Sequence, residues 1–150
     1  MKLYLVQHGI AVPEEVDPQK PLSQEGKAQT QKMADYLRLR NIMVDCLWHS
    51  HKLRARQTAS ILAPSVSASE IQERDDINPL DPVSSFPEKI QSLRKDVMIV
   101  GHLPFLAKLA SLLLAGSEEN PFIAFRNSGV VCMEYEEIWK MLWALTPELV

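Results

Sequence analysis

Three short runs of β-forming apolar residues, at 2–6 (KLYLV), 43–48 (MVDCLW) and 96–100 (DVMIV), are separated by stretches with helical character. That alternation is the strongest constraint on the fold. Strands separated by helices imply a mostly parallel sheet with helices on both faces. Its crossovers should be right-handed. Residues 127–135 and 139–145 read as two further strands joined by the acidic turn Glu136-Glu137, so an antiparallel edge closes the chain. The expected class is α/β.

Between the runs, Ser23 is placed to cap a helix extending to about residue 40, with Ala28, Met33, Ala34 and Leu37 on one face. Residues 51–63 read as a helix stopped by Pro64, and residues 83–93 as a third. Residues 104–115 read as a fourth, with Pro104 in the first turn and Gly116 just past the end. Residues 10–22 carry three prolines and read as a loop. Residues 65–81 are polar and weakly patterned, and read as a long surface connection.

At 150 residues the chain fits one domain. A chain of this size buries roughly two thirds of its unfolded surface, so it needs neither disulfides nor metal to fold. Cys46 and Cys132 each lie in an apolar run and read as buried free thiols. The net charge of −3 argues against nucleic acid as a partner, which would call for a basic face. Membrane insertion is not expected: the longest apolar stretch, near residues 103–115, is interrupted by Lys108 and Ser111. No secretory signal is read, and a cytoplasmic location is expected.

In open parallel sheets, ligands bind beyond the carboxyl ends of the strands. Gln7-His8-Gly9 follows the first run, Ser50-His51 the second with Arg54 shortly after, and Gly101-His102 the third. Arg54 lies near a helix start, where unpaired N–H groups favour anions, and its guanidinium matches phosphate oxygens. A phosphate is the natural ligand. His8 is the candidate nucleophile, since a neutral imidazole attacks near pH 7 without a metal. Gly9 is expected to let the backbone approach the ligand. Arg54 and a protonated His102 are expected to supply charge. His49 and His51 form a His-x-His pair, but no cysteine or carboxylate accompanies them with ligand-like spacing, so no metal and no cofactor is expected.

These residues resemble those of the histidine phosphatase superfamily, and within it the short phosphohistidine phosphatases of the SixA type. KLYLVQHG resembles the strand that leads into Arg-His-Gly in that family. Pro21-Leu22-Ser23-Gln24-Glu25-Gly26 is similar to its Pro-Leu-Ser/Thr-x-x-Gly segment. Ser50-His51-Lys52-Leu53-Arg54-Ala55-Arg56-Gln57-Thr58-Ala59 resembles its Ser-Pro-x-x-Arg-Ala-x-Gln-Thr-Ala segment, and Val100-Gly101-His102-Leu103-Pro104 the segment with its second histidine.

The resemblance implies a phosphoglycerate mutase-like fold and a phosphoryl acceptor at His8. Arg54, His102, Gly9 and residue 7 would surround the phosphate, with no metal. It also implies a site without a large cap insertion, which suits a histidine-phosphorylated protein. A small phosphate ester as substrate, or a non-catalytic phosphate-binding module, are the alternatives. Gln7 departs from the arginine usual in the family and lacks its full positive charge. Asp76-Ile77-Asn78-Pro79 resembles the family's acid-and-proline segment, so Asp76 is the candidate general acid, with Asp75 and Glu73 close by.

Overall fold

In the computed structural model, which describes residues 1–150, the three apolar runs are neighbouring strands. The elements are β1 (Lys2–Gln7), α1 (Gln24–Leu39), β2 (Cys46–Ser50), α2 (Leu53–Ser65), β3 (Glu70–Arg74) and α3 (Phe86–Leu93). They continue with β4 (Val97–Gly101), α4 (Phe105–Ala115), β5 (Val130–Tyr135), β6 (Trp139–Leu145) and a final 3-10 turn, Pro147–Leu149. The sheet order is β3-β2-β4-β1-β5-β6. The first four strands in that order run parallel, while β5 and β6 are antiparallel, as expected for the closing edge.

Every residue of β2 and β4 is buried, because helices cover both faces of the sheet there. Alternate strand residues feed two separate cores. Leu3, Leu5, Trp48 and Ile99 pack with Phe86 and Ile90 of α3 and with Phe105 and Leu109 of α4. On the opposite face Tyr4, Val6, Leu47 and Val100 pack with Met33 and Leu37 of α1 and Leu62 of α2. Cys46 and Cys132 are buried and free. No helix is long and apolar enough to cross a membrane.

The surface connection expected over residues 65–81 is in part a strand. β3 pairs with β2 in parallel, from Cys46↔Glu70 to Ser50↔Arg74. It escapes pattern reading because it sits at the sheet edge and is mostly exposed, so nothing requires alternating apolar residues. α2 also starts two residues later than expected and continues through Pro64 to Ser65.

Ser23 caps α1 as expected, its Oγ accepting from the Gly26 N–H at 3.0 Å. Gly26 is required by contact: a Cβ there would run into the Ile10 carbonyl oxygen. The loop after β1 is thus pressed onto the first turn of α1, and this contact fixes where the chain leaves His8.

Candidate active site

The carboxyl ends of β1, β2 and β4 deliver their polar residues to one place. The His8 N–H donates to the Gly101 carbonyl at 3.0 Å, which carries the β1–β4 pairing one residue past the strand. The rings of His8 and His102 lie 5.1 Å apart with planes inclined at 56°. Arg54, second residue of α2, directs its Nε–H at Nε2 of His8, 3.4 Å away.

The His8 tautomer follows from its partners. Nδ1 lies 2.8 Å from the Gly9 carbonyl oxygen, which only accepts, so Nδ1 carries the proton. The lone pair therefore sits on Nε2, facing the arginine. Burial pushes the His8 pKa down to about 4; the Gly9 carbonyl opposes this and the Arg54 charge adds to it. At neutral pH the ring is uncharged and nucleophilic at Nε2.

His102 is 1% exposed, and its Nε2 lies 2.8 Å from Oγ of Ser50, a residue with no exposure at all. That oxygen also accepts the Lys52 N–H at 3.2 Å. The hydroxyl keeps its O–H and a second lone pair for Nε2; where it donates, the His102 proton lies on Nδ1. Nδ1 is buried with no partner in the protein. Burial, then the His8 and Arg54 neighbours, push His102 down to about 3. The expected protonated His102 is therefore neutral in the unliganded site, where burial and the Arg54 charge oppose a further positive charge.

The Gly9 N–H donates to Thr58 Oγ1 at 2.9 Å. Glycine is needed there because a Cβ would lie 2.9 Å from Thr30 Oγ1 and 3.0 Å from Ser128 Oγ. Asp76 is not free to act as an acid. Arg74 grips its two oxygens at 2.8 and 2.6 Å, and Lys89 approaches at 3.4 Å. The Arg74 hydrogen bonds hold its carboxyl below the usual range, so it stays ionised. Arg74 is itself stacked on Trp48, 4.3 Å from the ring centre. Glu73 and Asp75 are exposed.

Gln7 is half-buried, pairs with Gly101 across the sheet, and leaves its Oε1 buried without a partner. His49 is buried with Nδ1 3.0 Å from the Ser50 carbonyl oxygen, whereas His51 is exposed.

Several supporting residues escaped the sequence reading. Asn127 Nδ2 donates to the His8 carbonyl at 2.9 Å, and the Ser128 N–H to the Gln7 carbonyl at 2.9 Å. Nothing local in the sequence connects residues 127–128 with residue 8. Thr58 carried a signal: it lies one helical turn after Arg54, and its hydroxyl donates to the Arg54 carbonyl at 2.7 Å.

The sequence model of the histidine phosphatase superfamily (branch 1) matches residues 3–82. An uncharacterized protein of Picosynechococcus is 26% identical over 138 residues, which cover 87% of this chain and 83% of that protein. Among solved structures, the protein histidine phosphatase SixA complexed with tungstate superposes with a TM-score of 0.88 at 22% identity, covering 99% of both chains. A putative SixA from Agrobacterium tumefaciens gives 0.79 at 23% identity, with 97% of each chain covered. A putative α-ribazole-5'-P phosphatase from Escherichia coli gives 0.80 at 15% identity, with 98% of each chain covered. The fold is common to all three.

Proposed function

Because this chain belongs to the histidine phosphatase superfamily (branch 1), we propose that it hydrolyses phosphohistidine on a protein substrate through a phospho-His8 intermediate. The observation that carries this reading is the His8 ring. Its Nδ1–H is tied to the Gly9 carbonyl, and its free Nε2 faces Arg54 at 3.4 Å.

The chemistry divides into two displacements. Nε2 of His8 attacks phosphorus, and the bond from phosphorus to the substrate's imidazole nitrogen breaks. That imidazole departs with a proton from water. Water then attacks phospho-His8, releasing phosphate and restoring the neutral ring. Arg54 and the Nδ1–H of His102 balance the charge on the phosphoryl oxygens, and the route calls on no metal. The arriving dianion favours protonation of His102, so the ring can gain a charge once phosphate is bound. Gln7 takes part by turning its amide: with the NH2 inward it donates to the anion, and the buried acceptor is no longer stranded.

The Arg74 clamp on Asp76 favours phosphohistidine over an alkyl ester. An alkoxide leaves poorly without an acid, and the nearest candidate is ionised and paired. An imidazole needs less help. The resemblance in fold to a structure described as a protein histidine phosphatase supports the same choice.

Rapid-quench trapping with a histidine-phosphorylated protein tests the proposal. An acid-labile phosphoenzyme should form before phosphate appears. Faster turnover of free phosphate esters than of phosphoprotein would assign the site to small molecules. Thermal stabilisation by phosphate with no phosphoenzyme at all would mark a binding module.

Two variants probe the supporting groups. Gln7→Arg restores a charge-assisted hydrogen bond in place of a neutral one, a gain of about 1–2 kcal/mol. Its kcat/KM should rise roughly tenfold; an unchanged value would show that residue 7 does not reach the phosphoryl group. In Ser50→Ala, kcat should fall about tenfold, short of the roughly 100-fold expected for removing a donor outright. The 15N shifts of His102 should move from the Nδ1–H to the Nε2–H tautomer, and Ser50→Thr should restore both readouts. An unmoved tautomer would remove Ser50 from this role.

A further inference from the structure

Although the chain is acidic overall, a set of its basic residues lines grooves that begin at Arg54. A groove of about 440 Å³ at the mouth of the site is lined by Lys20, Lys52, Arg54 and Arg56, with Glu14 the one acid. A second, of about 710 Å³ between α1 and α2, shares Leu53 and Arg56 with the first, adds Lys27 and contains no acid. Five of the 16 lysines and arginines thus line two joined grooves. None has an ion-pair partner: the three ion pairs of the molecule join Arg38 to Asp35, Arg74 to Asp76 and Lys89 to Asp76. So many unpaired like charges repel one another unless an anion enters.

Lys20 adds an independent observation. Its φ of 51° lies in the left-handed region, where glycine is the ordinary occupant. The turn is otherwise well satisfied, the Lys20 N–H donating to the Asp17 carbonyl at 2.9 Å and the Gln19 N–H to Asp17 Oδ1 at 2.9 Å. The side chain this turn carries lines the groove beside Arg54.

We propose that the two grooves form a docking track for acidic side chains flanking the phosphohistidine of a polypeptide substrate, which rests on the phosphohistidine reading above. Each groove alone has the size of a small-ligand pocket. Joined end to end and continuing away from Arg54 along α1 and α2, they match a length of chain better than one compact metabolite. The contacts are partly exposed, so they act on encounter and KM and weaken with salt.

The test uses two synthetic phosphohistidine peptides, one flanked by Asp and Glu, the other by Ser and Gln. The wild type is compared with the double variant Lys20→Gly/Arg56→Gln. Glycine keeps the left-handed turn, and thermal unfolding verifies the fold. The wild type should prefer the acidic peptide about tenfold in kcat/KM, through KM, at low salt. High salt or the double variant should reduce that preference to within about twofold, leaving the rate on the neutral peptide unaltered. Equal kcat/KM for the two peptides in the wild type, or an undiminished preference in the double variant, would overturn the docking track alone. Turnover of phosphate esters but of neither peptide would overturn the phosphohistidine reading and this proposal with it.

Discussion

His8→Ala is expected to lower phosphate release by roughly a millionfold, the scale seen when a covalent nucleophile is removed. No phosphoenzyme should be trapped. The other groups cannot take over, because the His102 Nε2 is occupied by Ser50 and Arg54 carries no lone pair to offer. The variant should still fold. The backbone N–H and C=O of residue 8 are held by Gly101 and Asn127, bonds that do not need the imidazole. A rate within about tenfold of wild type would end the covalent mechanism.

The same substitution has a signature in stability. With its folded pKa near 4, below the ordinary 6.5, His8 binds its proton less readily in the folded chain than in the unfolded one. Unfolded chains therefore hold more protons in that window, and stability must fall as pH drops from 6.5 towards 4. Urea unfolding should show this loss, and His8→Ala should show less of it. His102, lowered for the same reason, contributes in the same direction.

Arg54→Ala is the second large effect. The guanidinium is the permanent charge directed at Nε2 of His8, the proposed nucleophile. Its loss removes both a preorganised donor and the charge that meets the phosphoryl oxygens. Removal of a single such donor costs about 3–4 kcal/mol in the transition state, or roughly 100- to 1000-fold in kcat. Arg54→Lys should recover only part, since an ammonium cannot present two parallel donors. Steady-state kinetics on a phosphohistidine peptide decides the matter. A rise in KM alone, with kcat intact, would mean that Arg54 binds the substrate without acting on the transition state.

Much of this arrangement was legible in the residues. The runs that became β1, β2 and β4 are buried on both faces, so their sequences are nearly continuous apolar stretches. The strand ends then carry His8, Ser50 and His102 to one edge. β3 was hidden because an exposed edge strand is held by its backbone, and its side chains (EIQER) report solvent. Asp76 sat where a general acid was sought, but its charge belongs to Arg74, two residues before it. Only geometry shows that partnership, since the stack of Arg74 on Trp48 sets it. The Ser50–His102 hydrogen bond crosses 52 residues and has no trace in local sequence.

Thr58 spans two pieces of this centre at once, receiving the Gly9 N–H and giving its own proton to the Arg54 carbonyl. Through that one buried oxygen, the backbone after the first strand and the opening turn of the second helix are joined into a single stiff unit. The segment that carries His8 and the turn that carries Arg54 are therefore anchored to each other through one side chain, ahead of any ligand.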